Sequence, residues 1–335
     1  MTARADAVVR GRLRSLADAG VAWSVASRYG AVLLLLVGSA VYFAVTENGF
    51  LTSANVENLL TSVSILWVAS MGMTFVVLTG GIDLSVGALV AFSGLVLSKL
   101  YAGAGLPSWL AVALTLVAGL LIGGGVNGML IGRARLSFFV VTLGTASLYQ
   151  GIVSIWSGTK TTYIDSQFVD WLGFGKVAGV AVPIWLMLVV FLLGFVVLRW
   201  TYFGRDVYAV GGNIEAARLS GINVTATLVA VYAIAGLAAA VAGVIQAGRL
   251  GASSPIVGSD IPLSAAAAVL LGGTSFAGGV GGVTGTAVGV LFIGTLQNGL
   301  AIRGVSSFWQ QVVTGVILVL AVGIDRIQEL RGLRS

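Results

Sequence analysis

The sequence predicts an all-α polytopic membrane protein with about ten transmembrane helices and two inverted repeats. Of its 335 residues, 58% are hydrophobic and only 9% are charged, whereas a soluble domain carries about 25% charged residues. A chain with so few charges could not cover its surface in water, so we expect lipid to be its solvent. Its 48 glycines suit helices that pack closely within a bilayer.

The composition also excludes several kinds of catalytic site. The chain contains no histidine and no cysteine. It can therefore form neither a zinc site with His and Cys ligands nor a Ser-His-Asp or Cys-His nucleophile, and it has no thiol redox centre. In such a chain the net charge of +6 has to be read by membrane side, and we expect no binding of nucleic acid.

Ten apolar segments are candidates for transmembrane helices, which need roughly 20 mainly apolar residues. They are 31–47, 58–80, 84–100, 108–131, 137–157, 183–200, 225–248, 263–277, 280–301 and 308–325. The arginine-containing stretch before the first segment is long for the basic part of a signal peptide, and no clear cleavage site follows. We therefore expect a basic cytoplasmic arm over residues 1–29, a transmembrane domain over residues 30–325 and a tail over residues 326–335.

The distribution of basic residues predicts the orientation of these spans. If residues 1–29 are cytoplasmic, the alternation of ten spans places 13 basic residues inside and five outside, as the positive-inside rule requires. An odd number of spans would move the three C-terminal arginines to the wrong side. We therefore expect both termini to be cytoplasmic.

Three short motifs recur in the same order in the two halves of the chain. An Asp shortly before a Leu-Ser pair opens the third and eighth segments, Asn-Gly closes the fourth and ninth, and an aromatic pair after Ser opens the fifth and tenth. The paired residues are Asp83 with Asp260, Asn127 with Asn298, and Phe138-Phe139 with Phe308-Trp309. The motifs predict two repeats, segments 2–5 (about 58–157) and segments 7–10 (about 225–325). The single crossing between them inverts the second repeat, an arrangement that builds a pathway near the membrane midplane.

A polar loop over residues 201–223 separates the sixth and seventh segments. Asn213 is a good N-cap, Glu215 lies where a helix dipole favours an anion, and Gly221 can supply a left-handed C-terminal residue. The pattern predicts a two-turn helix outside the bilayer. A helix this short is marginal in water and needs a surface to dock on. A short helix that only covers the membrane surface of the bundle would, however, have the same pattern.

The same loop resembles the coupling loop of bacterial ABC transporter permeases, through which the ATPase subunit grips the membrane subunit. Glu215-Ala216-Ala217 followed by Gly221 carries this resemblance. The longer stretch Gly204–Asn223 is similar to the loop of monosaccharide permeases of the ribose, xylose and arabinose type. Further blocks with the same resemblance are Leu78–Gly87, Leu270–Ser275 and Asn298–Leu300.

The resemblance implies a permease subunit of an ATP-driven importer that moves a monosaccharide or similar polyol across the bacterial cytoplasmic (inner) membrane by alternating access. It implies a cytoplasmic ATP-binding subunit, a periplasmic or extracellular solute-binding protein and a second permease subunit, identical or different, as partners in the lipid membrane. The ATPase-coupling residues that it implies are Asn213, Glu215, Ala216, Ala217, Arg218 and Gly221.

Two kinds of motif that would let the chain work alone are absent from the sequence. It has no Gly-x-x-x-x-Gly-Lys-[Ser/Thr] run, so we expect a transporter subunit and not an enzyme, with ATP and Mg²⁺ on the partner and no cofactor or metal on this chain. It also lacks the chain of buried Asp, Glu or His residues of a proton-driven carrier. The alternative is nevertheless an ion-coupled secondary carrier of a small polar solute, because inverted repeats occur there too.

Acidic residues and glycines at segment ends are candidates for a structural or gating role. An ionisable group at the start of a hydrophobic segment, such as Asp83, marks a functional site by default, but Asp83 could equally cap a helix. Asp260 has the equivalent place in the second half, where Pro262 suits a first helical turn. The full group is Asp83, Ser85, Asp260, Gly272 and Gly273.

A pathway for a neutral, hydroxyl-rich solute needs hydrogen-bonding side chains and an aromatic face. Amides and rings at the repeat-related positions supply both, although amides in membranes also join helices, and rings at helix ends also form interface belts. The candidate pathway residues are Asn127, Asn298, Phe138, Phe139, Phe308 and Trp309.

Overall fold

The computed structural model describes residues 30–330, with side chains up to residue 323. The arm predicted for residues 1–29 and the last five residues lie outside the described part. Within it, helices form nearly all of the regular structure. The all-α polytopic class predicted from composition is therefore confirmed.

The helices are numbered here in chain order. They are α1 Gly30–Thr46, α2 Ser53–Leu78, α3 Val86–Gly103, α4 Ser108–Gly132, α5 Phe138–Ser157, α6 Gln167–Phe174, α7 Val182–Trp200, α8 Tyr202–Gly212, α9 Ile214–Leu219, α10 Val224–Leu250, α11 Ile261–Leu271, α12 Val283–Ile302 and α13 Ser307–Leu330. Among the described residues, seven helices are long and apolar enough to cross a membrane, namely α2, α3, α4, α5, α7, α10 and α12. Each predicted segment overlaps one helix, while the number of spans stays a prediction.

The long helices run alternately between two ends of the bundle. The α9 end carries α8 and α9, and there Thr225 at the start of α10 donates to the carbonyl of Gly132 at the end of α4. The α6 end carries α6 and two short strand pairs. These are β1 (Thr162–Tyr163) with β4 (Ala252–Ser253), and β2 (Lys176–Val177) with β3 (Val180–Ala181).

Two central helices, α2 and α10, pack against each other, and most of their residues are buried. The side chain of Asn223 accepts the Ala226 N–H and begins α10, and Gly251 with φ +58° ends it. Small residues let these backbones approach their neighbours closely. A Cβ added to Gly123, in a π-helical stretch of α4, would overlap the carbonyl oxygen of Tyr232 in α10.

Helix pairing has the same order in both halves of the chain. The central helix α10 packs against α3 and α4, and the central helix α2 packs against α11 and α12. Likewise α3 packs against α5 within the first half, and α11 packs against α13 within the second. This equivalence is what an inverted repeat would produce, so it supports the predicted repeat, which itself stays a prediction.

The eighth predicted segment, 263–277, ends too late. The helix there is α11, with 11 residues, and it covers about 16 Å at 1.5 Å per residue, roughly half of the ~30 Å hydrocarbon core. Residues 272–282 form a loop in which five glycines have positive φ angles, a conformation that glycine adopts without strain. The sequence predicted a span here because hydropathy scales do not count glycine as a polar residue.

The starts of α3 and α11 meet in the interior of the bundle. Gly87 in the first turn of α3 and Gly258 just before α11 are both buried. A Cβ on Gly87 would overlap the carbonyl oxygen of Gly258, so the two backbones touch. Two helix N-termini therefore lie together between the central helices.

Basic side chains are divided evenly between the two ends in the part of the chain whose side chains are described. Each end has five, which are Arg133, Arg135, Arg199, Arg205 and Arg218 at the α9 end and Lys99, Lys160, Lys176, Arg249 and Arg303 at the α6 end. At the α6 end, Lys176 pairs with Glu57 and Arg303 pairs with Glu47. The excess that predicts a cytoplasmic α9 end therefore rests on the arginines of the terminal segments.

Cysteine labelling tests this orientation, because the chain has no native cysteine. Lys160→Cys and Ser220→Cys both place a thiol at an exposed position, on the α6 end and the α9 end respectively. We expect a membrane-impermeant thiol reagent added to intact cells to label only the cysteine at position 160, since the positive-inside rule puts the α9 end in the cytoplasm. Labelling of position 220 alone would reverse the orientation.

Two alanine substitutions in the π-helical stretch of α4 test the packing of α4 on α10. Gly123→Ala should lower the free energy of unfolding by about 1–3 kcal/mol, because the added methyl group forces the helices apart. Gly125→Ala is the matched control, since a Cβ there meets no atom within 4 Å. Thermal unfolding of the two purified variants in detergent measures the difference, and equal losses would contradict the close approach.

Candidate functional site

The loop between α7 and α10 folds into α8 and α9 as its local chemistry predicts. Thr201 caps α8 by accepting the Gly204 N–H. Asn213 ends α8 and begins α9, and its Oδ1 accepts the N–H groups of Glu215 at 3.0 Å and Ala216 at 2.9 Å. Gly221 follows α9 with φ +86°. The predicted N-cap and left-handed glycine are both present.

The surface of α9 is suited to docking against a protein. Ala217 is buried against the start of α10, which fixes the helix on the bundle. Glu215 and Arg218 form an exposed ion pair at 2.9 Å, and the Leu219 side chain is 89% exposed. An exposed leucine beside a charged pair, on a helix too short to be stable alone, is a surface that a partner can cover.

A cluster of three buried polar side chains lies at the start of α3. The carboxylate of Asp83 is 1% exposed and accepts the backbone N–H of Ser85 at 2.8 Å and its hydroxyl at 2.5 Å. The Ser85 hydroxyl in turn accepts from Nδ2 of Asn127 at 2.8 Å. Asp83 therefore holds the turn before α3. The N-cap position of α3 is Ser85, so Asp83 bonds the N-cap residue itself and not an N–H of the first helical turn.

The predicted pathway amides lie in different places. Asn127 is fully buried beside Ser85. Asn298 on α12 exchanges two hydrogen bonds with Asn55 on α2, at 3.0 and 3.1 Å. Each amide joins neighbouring helices in this structure, and the two do not share a cavity.

The predicted pathway rings lie on the outside of the bundle. Phe139, Phe308 and Trp309 are each more than half exposed, and Phe138 is partly buried. Such rings at helix ends have the positions of an interface belt. The structure therefore brings the six predicted pathway residues to no common site.

Gly272 and Gly273 form the turn after α11. A Cβ on Gly272 would overlap the backbone of Gly285 in α12, and Gly273 has φ +81°. The pair lets the chain leave α11 in direct contact with α12. Its structural role is therefore a tight turn between the two helices.

A cavity of about 670 Å³ opens at the α6 end between α2, α10, α11 and α12. This volume is typical of small-molecule sites. The polar residues of its lining are Ser62, Thr161, Tyr163, Gln246, Arg249, Ser254, Asp260, Ser264 and Gln297, and the rest is mainly aliphatic. The start of α11 lies at the inner end of this cavity.

Two opposite charges line the cavity without pairing. Arg249 donates to the hydroxyl of Ser62 at 3.1 Å, while its Nε has no hydrogen-bond partner. Asp260 forms none of the ion pairs among the described side chains. Sequence reasoning missed Arg249 and Gln246, although two polar residues three apart on one face of an apolar helix were a usable signal.

Comparison with known proteins gives one family and several close relatives. Residues 55–322 match the family model described as a branched-chain amino acid transport system / permease component. Ribose import permease protein RbsC of Escherichia coli K12 is 40% identical over 300 residues, which cover 88% of this chain and 92% of the relative. RbsC of Bacillus subtilis 168 is 42% identical over 288 residues, covering 84% and 88%. The xylose transport system permease protein XylH of Escherichia coli K12 is 34% identical, covering 88% and 90%. No solved structure matches the chain.

Removing one hydroxyl tests the cluster of buried polar side chains at the start of α3. Ser85→Ala should lower the free energy of unfolding by about 1–3 kcal/mol, because it removes one of the two hydrogen bonds to the Asp83 carboxylate and leaves Nδ2 of Asn127 without its buried partner. Ser147→Ala is the control, since its exposed hydroxyl only bonds a carbonyl within its own helix. Thermal unfolding in detergent compares the two, and an unchanged Ser85→Ala variant would show that water replaces the hydroxyl.

Proposed function

The chain belongs to the family of bacterial monosaccharide import permeases, and we propose that it is the membrane subunit of an ATP-driven importer for a monosaccharide or similar polyol. The observation that carries this proposal is the match to ribose and xylose permeases along nearly the whole of both chains. The chain is a transporter subunit and not an enzyme. ATP and Mg²⁺ bind to a separate ATP-binding subunit in this proposal.

The cavity at the α6 end supports a neutral polyhydroxyl solute. Its amides and hydroxyls can both donate and accept hydrogen bonds. Its two charges are of opposite sign, so the lining carries no net charge that would favour an anion or a cation. In the proposal a solute-binding protein outside the cell delivers the sugar to this end of the bundle, and the start of α11 receives it.

The α9 end supports the docking of an ATP-binding subunit. Asn213, Glu215, Ala216, Ala217, Arg218 and Gly221 build the exposed helix α9 and its two ends. We assign the coupling role to this surface because it is rigidly capped, exposed and apolar at Leu219. In the proposal, α9 faces the cytoplasm, and both termini of the chain lie on the same side of the membrane.

Alternating access follows from the paired architecture in this proposal. Two permease subunits would enclose the route, and the cavity would close at the α6 end as it opens at the α9 end. The predicted pair Asn127 and Asn298 could line the route only in a state in which their present helix-joining bonds are broken. An ion-coupled secondary carrier is the rival, and transport by this chain alone on an ion gradient would favour it.

Reconstitution tests the proposal directly. The permease, its ATP-binding subunit and its solute-binding protein in proteoliposomes should take up radiolabelled D-ribose, D-xylose or L-arabinose only when ATP is supplied. Glu215→Lys should lower uptake about tenfold or more, because it reverses a charge at the start of the docking helix. The comparison variant is Asp170→Lys, which reverses the acidic residue in the first turn of α6 at the opposite end. Because the solute-binding protein is proposed to act at that end, retention of the ATP-binding subunit separates the variants: Glu215→Lys should weaken it and Asp170→Lys should not.

Three results would contradict the proposal. Uptake without ATP would favour the secondary carrier. Uptake of none of these sugars by the wild-type complex would remove the substrate class. Equal uptake by the Glu215→Lys variant and the wild type would remove the coupling role of α9.

A further inference from the structure

Helix α8 meets the bundle through backbone atoms alone at one point. Gly279, in the loop after α11, donates its N–H to the carbonyl oxygen of Leu78, the last residue of α2, at 2.9 Å. Gly211 of α8 lies against both groups, since a Cβ there would overlap the Leu78 oxygen and lie 2.6 Å from the Gly279 nitrogen. We name Leu78, Gly211 and Gly279 the glycine junction.

A side-chain contact reinforces the glycine junction from the same face of α8. Tyr208, one turn before Gly211, donates its hydroxyl to the carbonyl of Gly281 at 2.9 Å. The Gly211 and Tyr208 contacts therefore both involve the segment that joins α11 to α12. Because this segment is a loop of positive-φ glycines, it can follow a movement of α8 without unwinding a helix.

Both elements held at the glycine junction lead to the cavity. The loop of Gly279 follows α11, whose first residues line the cavity through Asp260, Ile261 and Ser264. Beyond Leu78 the chain continues to the start of α3, where Gly87 touches Gly258, another lining residue. The glycine junction is therefore connected to the cavity by two routes, one along α11 and one from Leu78 to the start of α3.

We propose that the glycine junction is where movement of α8 and α9 is passed to the cavity, with Gly211 as the positioning residue. This rests on the proposed function, in which α9 is the docking helix of the ATP-binding subunit. Direct contact of three backbones transmits displacement because packed interiors are rigid and do not absorb it. A side chain at position 211 would separate α8 from α2 and from the loop, and the routes would lose their common point.

The neighbouring glycine provides a matched control. Gly211 and Gly212 are consecutive residues at the end of α8, so alanine has the same intrinsic effect on the helix at either position. A Cβ on Gly212 meets no atom within 4 Å. A difference between Gly211→Ala and Gly212→Ala therefore reports the contact and not the helix.

Two measurements on the reconstituted complex of permease, ATP-binding subunit and solute-binding protein test the proposal. The first is the amount of sugar taken up per ATP hydrolysed, which we expect to fall about tenfold in Gly211→Ala and to stay unchanged in Gly212→Ala. The second is the reactivity of Ser264→Cys in the cavity towards a small thiol reagent, with and without ATP trapped on the partner. We expect the trapped state to change this reactivity in the wild-type background and with Gly212→Ala, but not with Gly211→Ala.

An unchanged sugar-to-ATP ratio and unchanged labelling in an assembled Gly211→Ala complex would overturn the proposal. So would equal losses in both glycine variants. If Gly211→Ala does not assemble, Tyr208→Phe decides, because it removes one hydrogen bond of α8 to the same loop and adds no atom. Its ratio and labelling response should fall in the same direction, and wild-type values would overturn the proposal. Absence of sugar uptake by the wild type would contradict the proposed function instead, since the labelling response needs no sugar.

Discussion

The structure depends on one constraint, which is that a bilayer offers no water to unpaired backbone groups. Two helices, α3 and α11, begin in the interior and not at an end of the bundle. Their non-helical approaches are tolerated there because none of residues 79–85 is exposed, and because residues 251–260 run along the cavity, whose lining includes Ser254, Val257 and Gly258. The central helices α2 and α10 border both segments, and they are the most buried of the long helices together with α3.

Close packing of the central helices follows from the same constraint. The helices that surround the irregular backbone have to exclude lipid, which requires them to pack closely. They therefore meet through glycine and alanine, because small residues allow close approach. Gly72 approaches Ala238, and Gly123 approaches Tyr232. The buried polar side chains are mostly the small residues Ser and Thr, and Asp83 finds its partners in Ser85 and, through it, Asn127. At the α6 end the same helices diverge and leave the cavity of about 670 Å³.

Local chemistry was readable from the sequence, whereas distant pairing was not. The apolar runs predicted the helices, and Asn213 and Gly221 predicted both ends of α9, because capping involves residues within one turn. The pairing of Asn298 with Asn55 joins residues 243 positions apart, and no periodicity reports it. The prediction of the eighth segment was too long for a different reason. Hydropathy does not report backbone conformation, and five glycines of residues 272–282 have positive φ angles.

The cavity and α9, the helix proposed to dock the ATP-binding subunit, lie at opposite ends of a bundle whose central helix α2 is about 39 Å long. A continuous helix of this length transmits a displacement along its axis but does not itself change shape. The changes of direction are left to the two irregular segments at its end, residues 79–85 and 272–282. Both contain glycines with positive φ. Residues 79–85 lead to the start of α3, and residues 272–282 follow α11, whose first residues line the cavity. The interruptions that the bilayer makes costly are therefore the places where the two ends can affect each other.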